Sequence, residues 1–366
     1  MLLGPYLSPQ FQLRNRVVMA PMTRSRADNE KALATDLMVQ YYRQRATAGL
    51  IISEGINVSP RSVGYVNVPQ IQTAEQTASW KKVTRGVQEG GGKIFAQLWH
   101  VGRVSHPDLL GGQLPLAPSA LNPHSQTYTY AGFRPRVSPQ AMSVEDIQTT
   151  IADFQNAAAN ALAAGFDGIE IHAANGYLFQ QFFAQSANVR SDAYGGSLKN
   201  RCRFLFEALE AITQVIPAAK VGVRISPDYR GRNGIELDDE TTPLFEFIAT
   251  RLNDYNLAYL HLGGYHPPGE PGLLASIRRT AQHYRKFYRG TYIINRAFTQ
   301  ALAEAAISEG IADLVAFGEL FISNPDLVAR FAQHAPLQPA DHSTYYTTGE
   351  RGYTDYPFWK GGDHPE

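Results

Sequence analysis

The chain has 366 residues, 44% of them hydrophobic, with 33 Lys plus Arg balanced by 33 Asp plus Glu. That balance gives no global field to gather nucleic acid or an anionic membrane. No apolar run approaches the roughly 20 residues that span a bilayer, and the start MLLGPYLSPQFQLRNR lacks the basic region and long apolar core of a secretory leader. Cys202, the single cysteine, excludes internal disulfides and clusters held by several thiolates, and it suits a reducing cytoplasm.

In chain order, residues 2–14 read as a small hairpin with a turn near residues 7–10. β-rich runs follow: RVVMAP from Arg16, LIISEG from Leu50, KIFAQLW from Lys93, GIEIHAA from Gly168, KVGVRIS from Lys220, AYLHLG from Ala258, TYIINR from Thr291 and LVAFG from Leu314. Helical patterns separate them. Leu37, Met38, Tyr41 and Tyr42 share one helical face. SVEDIQTTIADFQNAAANALAAG opens on a capping serine, Ser143, and closes on Gly165, which suits a C-terminal cap. DDETTPLFEFIATRLNDYN and TQALAEAAISEG read the same way.

Strands alternating with helices predict an α/β chain folded as one (β/α)8 TIM barrel over residues 1–366, with the hairpin capping its N-terminal end. A doubly wound open sheet is the rival, but no GxGxxG follows the first strand. Residues 100–141, after the third strand, are long and rich in Pro, Gly and Ser. They read as a lid or subdomain on the catalytic face.

Sites in such barrels form where the strands end. Those ends carry Met22 and Thr23, Glu54 and Gly55, Gln97 and Trp99, His172 with Asn175 and Tyr177, and Arg224. Strand alternation puts Gln97 with Trp99 and His172 with Glu170, opposite the aliphatic positions and toward the barrel axis. No paired catalytic carboxylates, nucleophile motif, HExxH or His-x-His pair appears. Amide, hydroxyl and guanidinium groups in a ring suit a large planar polar ligand. An isoalloxazine fits, its negative charge met by a guanidinium and its pyrimidine edge by an amide. For HAANGY alone, a loop whose polar groups satisfy its own backbone stays open as a reading.

The stretches MAPMTRSRA, FAQLWHVGR, IHAANGYLFQQFFAQSANVRSDAYGGSLKNRCRF, VRISP, VAFGELFISNPDLV and YTDYP stand in order. Together they closely resemble the Old Yellow Enzyme family nearly end to end. The resemblance implies a barrel holding non-covalent FMN at its C-terminal face, reduced by NADPH or NADH and delivering hydride to the β-carbon of enones, enals, maleimides or nitroalkenes. Such a protein acts on small molecules, without nucleic acid or membrane, as a monomer or homodimer.

By resemblance, Thr23 bonds and tunes the flavin, with Ala20, Pro21 and Met22 alongside. Gly55 lets the main chain approach the ring, Gln97 bonds its pyrimidine side, and Arg224 sits at its electron-rich edge. His172 and Asn175 hold the substrate's carbonyl or nitro oxygen, Tyr177 donates a proton to the α-carbon, and Trp99, Tyr65 and Tyr346 shape the pocket. Thr23 and Asn175 match the classical branch, and a lone cysteine argues against relatives with a cysteine-bound cluster.

The phosphate region, at Asn295, Arg296, Ala297 and Gly318, departs from the family pattern. Arg296 stands where a glycine is common, and Glu319 stands where the family has arginine. An arginine beside a phosphate is favourable and a carboxylate is not, so Arg296 is expected to take over the charge while Glu319 pairs with it or points away. The alternative is that backbone amides alone hold the phosphate. Trp99, Tyr65 and Tyr346 also fit plain packing, and Cys202 an inert buried thiol. Two rival functions remain: a flavin barrel acting on amines, whose relatives carry extra domains, and a flavin-free barrel that only binds ligands or partners.

Overall fold

A computed structural model describes residues 1–263 and 273–361. The eight predicted strands close into one parallel barrel, which rules out the open sheet. They are β1 (Val17–Met19), β2 (Leu50–Asn57), β3 (Ile94–Trp99), β4 (Gly168–Ala173), β5 (Val221–Ile225), β6 (Tyr259–Leu262), β7 (Tyr292–Asn295) and β8 (Leu314–Phe317). Each pairs with the next, and β8 pairs with β1. The register shifts between Ile52 and Gly55 on β2, so β2 runs past the expected end to Asn57.

The outer helices form where the apolar spacing places them. α1 (Asp36–Gln44) buries Met38, Tyr41 and Tyr42. After α2 (Ala74–Glu89), α3 (Val144–Ala163) starts at Ser143, whose hydroxyl accepts from Asp146 N. The chain leaves α3 through Gly165 at φ 87°, a left-handed conformation that glycine adopts freely. Ile169, Ile171, Val221 and Val223 point outward into the core shared with the helices.

Inside the barrel the two ends differ. Val18, Leu50, Ile52, Phe95, Ile293 and Leu314 fill the N-terminal half with Tyr6 and Leu13 of the hairpin. The hairpin pairs Tyr6 with Leu13 and Leu7 with Gln12. It closes the barrel floor as expected, and Tyr6 Oη lies 2.8 Å from Thr291 Oγ1. Above that floor, the same strand alternation brings Gln97, Glu170, His172, Arg224 and His261 inside, all buried.

Residues 100–141 form no barrel strand. They hold a parallel pair, Leu116–Ala117 with Gln140–Ala141, and an antiparallel hairpin, Gln126–Thr129 with Gly132–Pro135. Two buried arginines tie the excursion to the loop after β5. Arg103 Nη2 donates to the Asn233 and Gly234 carbonyls at 2.9 Å each, and Arg136 Nη1 donates to Asn233 Oδ1 at 2.6 Å. At the other rim, Arg24 donates to the Gly352 and Tyr345 carbonyls and Arg26 to those of Thr344 and Tyr345. These bonds seat the C-terminal segment beside the chain leaving β1.

Candidate active site at the barrel mouth

The polar ceiling begins with Glu170, whose side chain is wholly buried. Its Oε1 accepts from Gln97 Nε2 at 2.8 Å, and its Oε2 lies 2.8 Å from His261 Nδ1. Burial pushes the Glu170 pKa up, but His261, Arg224 and Gln97 outweigh that and the net shift is downward. Burial lowers the pKa of His261 despite Glu170. The pair is therefore a carboxylate accepting from a neutral imidazole. Two residues beyond Gly222, the register partner of Glu170, Arg224 stands opposite both His172 and His261, and its Nη2 donates to Asn295 Oδ1 at 3.3 Å. A Cβ on Gly263 would lie 2.8 Å from Arg224 Nε, so the glycine makes room for the guanidinium.

The chain after β4 supplies the groups singled out in HAANGY. His172 ends the inward face of the strand, and burial first, then Arg224 and His261, hold its pKa well below the ordinary imidazole value. The ring is neutral at every physiological pH. Asn175 has φ 58°, a left-handed turn that asparagine tolerates. Its N–H donates to Ser226 Oγ at 2.7 Å, and Ser226 Oγ in turn donates to Gln180 Oε1 at 2.9 Å. Its carbonyl accepts from Asn233 Nδ2 at 3.3 Å, the residue that Arg136 holds from the excursion. The loop does not merely satisfy its own backbone, since its partners come from β5 and beyond.

Tyr177 precedes α4 (Leu178–Phe183). Its ring meets Trp99 and His172 edge-on, with centroids 4.9 and 5.0 Å apart, and its hydroxyl lies 3.0 Å from Tyr65 Oη. Burial, then Tyr65, Tyr229 and Tyr346, raises its pKa well above 10, so it stays protonated. Tyr65 stacks on Trp99 at 5.3 Å. Tyr346, by contrast, is 67% exposed and stands at the rim.

The opposite side of the mouth gathers residues from β1, β7 and β8. Ala20 N donates to Phe317 O at 3.0 Å, and a Cβ on Gly318 would lie 3.4 Å from Met22 Sδ. Ala20 is buried, while Pro21, Met22 and Thr23 are partly exposed. A Cβ on Gly55 would lie 2.1 Å from Trp99 Cε3, so the indole leaves room only for glycine. Arg296 has φ 102° and Ala297 φ 49°. The first is a conformation natural to glycine and costly for a side chain, by roughly 1–3 kcal/mol. Arg296, Ala297, Gly318 and Glu319 line a cavity of about 820 Å³ that extends to His334 and His342. Glu319 Oε1 lies 3.0 Å from His342 Nε2, both side chains exposed.

Three buried nitrogens at the mouth, His172 Nδ1, Arg224 Nε and Trp99 Nε1, have no protein partner among the described residues. Each such group is expensive to leave unsatisfied, at about 1–3 kcal/mol, so the arrangement fits a polar ligand seated against them. Sequence reasoning assigned no role to Glu170, His261, Ser226, Asn233 or Arg136. Only the parity of Glu170 with His172 hinted at the first. Cys202 is buried with its pKa pushed up to about 12 by burial, the inert thiol expected.

The closed (β/α)8 barrel carries a buried guanidinium, an amide and an imidazole at its mouth, groups that suit a polar ligand. Residues 4–338 match the NADH:flavin oxidoreductase / NADH oxidase family. The chain is 40% identical to 12-oxophytodienoate reductase 7 of Oryza sativa subsp. japonica, over 98% of this chain and 94% of that one. It is 39% identical to a probable flavin mononucleotide-dependent alkene reductase of Leishmania infantum, over 98% and 97%. Among solved structures, the old yellow enzyme homologue of Zymomonas mobilis superposes with a TM-score of 0.91 at 38% identity, covering 97% of this chain and 99% of the other. Morphinone reductase in complex with tetrahydroNAD does so with 0.90 at 40%, covering 100% and 99%. The chain belongs to this FMN-dependent oxidoreductase family, the Old Yellow Enzymes, and is an enzyme of that type.

Proposed function

We propose that the enzyme reduces activated C=C bonds of enones, enals, maleimides and nitroalkenes with NADPH or NADH, on non-covalently held FMN. The observation that carries this reading is the constellation of neutral His172, Asn175 and protonated Tyr177 on one loop, walled by Trp99 and Tyr65. Bound FMN would supply the hydride chemistry that links the nicotinamide to the β-carbon.

The protein's own groups do the rest. Gln97 and Arg224 would hold the ring, Gln97 bonding its pyrimidine side, with residues 20–23 beside it. His172 and Asn175 donate to the carbonyl or nitro oxygen of the substrate, withdrawing density from the alkene and stabilising the enolate that develops. A neutral imidazole does this through one N–H, with no formal charge to discharge. Tyr177 Oη delivers the proton to the α-carbon, and Tyr65 Oη, 3.0 Å away and partly exposed, relays a solvent proton back to it. Residues 100–141 act as a lid whose Arg136 steadies the clamp through Asn233. Arg296 supplies the phosphate's counter-charge, in keeping with a strained backbone retained at a ligand site. With a single buried thiol, the enzyme suits the cytoplasm.

The test is an absorbance spectrum of the purified protein, then anaerobic reoxidation by a panel of alkenes after reduction with NADPH or NADH. The reading expects a yellow protein reoxidised by enones and nitroalkenes. A protein that stays colourless after reconstitution with FMN contradicts it and favours the ligand-binding barrel.

A further inference from the structure

Beneath the mouth lies a pair of ionisable side chains for which the reaction has no direct use. Glu170 and His261 are both fully buried, on β4 and β6, and they face each other inside the barrel across β5. Neither sits on the loop that clamps substrate. Burying a carboxylate is expensive unless it is bonded and paired, so its retention in the barrel interior calls for a reason.

The hydrogen bonds supply one. A carboxylate only accepts, so the Gln97 group facing Glu170 Oε1 at 2.8 Å is the amide nitrogen. That fixes the amide against flipping. Gln97 Oε1 and the second Nε2 hydrogen are left for a ligand. An acceptor and a donor side by side complement an imide edge, in which an N–H stands next to a carbonyl. A flipped amide would turn oxygen toward oxygen at Glu170. His261 Nδ1, 2.8 Å from Glu170 Oε2, holds the carboxylate in place. Arg224, two residues beyond Gly222, the register partner of Glu170, is buried in the same barrel interior and lies within the field of the carboxylate.

We infer that Glu170, braced by His261, is a positioning residue with two effects: it locks Gln97 in the orientation that reads an imide N–H, and it offsets the charge of Arg224 at the same edge. The inference rests on the FMN reading and deepens it, because the isoalloxazine carries one imide N–H. Glu170 touches neither substrate nor ring in this account and acts through Gln97 and Arg224.

The test uses FMN and 3-methyl-FMN, which lacks that N–H, titrated into flavin-stripped parent, Glu170→Gln, His261→Phe and His261→Asn, with the midpoint potential of each FMN-loaded protein. The parent should prefer FMN by about tenfold or more, the worth of one lost hydrogen bond. In Glu170→Gln, whose amide tolerates either orientation of Gln97, that preference should shrink toward unity. Its potential should rise, because Arg224 loses its counter-charge and negative charge on the ring becomes easier to hold. His261→Phe should move both quantities the same way, and it carries the test if Glu170→Gln does not fold. His261→Asn, which keeps a donor to Glu170, should restore both toward the parent. A parent that binds neither flavin contradicts the FMN reading. A parent that binds FMN while Glu170→Gln and His261→Phe keep its preference, or keep or lower its potential, overturns this inference alone.

Discussion

The mouth of the barrel has two sides built on different principles. From β2 to β6, polar groups are held by side chains of neighbouring strands and the loops that follow them: Gln97 by Glu170, Glu170 by His261, the Asn175 backbone by Ser226, and Tyr177 by Tyr65. From β7 to β8, the backbone is strained at Arg296, the cavity is open, and the contact between Glu319 and His342 is exposed. Chemistry needs groups fixed to within a fraction of an ångström. In the proposed function the second side anchors a phosphate, which needs only charge and donors that solvated groups can exchange among themselves. The contrast explains how the second side can depart from the family pattern while the first keeps it.

Substitutions can break this contrast. His172→Ala together with Asn175→Ala should have the largest effect. Each lost donor to the substrate oxygen removes about 3 kcal/mol, roughly a hundredfold in rate. Reduction by the nicotinamide should suffer too if its carboxamide uses the same two donors. Stopped-flow traces in which both half-reactions of the double variant match the parent would rule out the clamp. Tyr177→Phe comes next. Reoxidation by enones should slow by about a hundredfold, with reduction by NAD(P)H nearly unchanged and nitroalkenes less affected, because their nitronates are stable enough to be protonated by water. An equal loss in reduction would argue against proton donation.

On the phosphate side, Arg296→Gly removes one charge-assisted bond and should weaken FMN about ten- to a hundredfold. Glu319→Arg alone should change little, and the double substitution should recover most of the loss, which titration of the four proteins reads as a double-mutant cycle. Arg296 also carries backbone strain that glycine would relieve, so Arg296→Gly should melt no lower than the parent in the flavin-free state. The smallest effect is on stability against pH. His100, His172 and His261 are held neutral by burial, His100 with a pKa lowered to about 3. Their folded pKa values lie below the unfolded value of about 6.5, so the unfolded chain takes up more protons and stability falls as pH drops through that value. Glu54, its pKa raised to about 8 by burial, works the other way by binding a proton in the folded state, so the check is made in Glu54→Gln, whose melting temperature should fall from pH 7 to pH 5; a level one would contradict it.

How much of this was legible in the sequence follows the same division. The eight strands, the floor hairpin and the His172, Asn175 and Tyr177 loop could be read, because alternation and local motifs record them. Alternation also put Glu170 on the inward face, but it names a side and never a partner. The bonds from Glu170 to Gln97 and His261 span 73 and 91 residues. Asn233, reached by Arg136 from 97 residues away, was equally out of view. The crowding of Gly55 by Trp99, which leaves no room for a Cβ, is a contact that the sequence does not announce. The strain at Arg296 is a φ angle that no residue identity announces, although its place at a usual glycine position pointed there.

The most direct test compares one variant from each side by two quantities: the FMN dissociation constant and the rate of reoxidation by a cyclic enone at saturating FMN, for His172→Ala and Arg296→Gly. The expected outcome is a crossing pattern. His172→Ala should bind FMN close to the parent and turn over about a hundredfold more slowly, while Arg296→Gly should bind FMN more weakly and, once loaded, reoxidise near the parent rate. If the same quantity falls in both variants and the other is unchanged in both, the two sides do not divide affinity from chemistry.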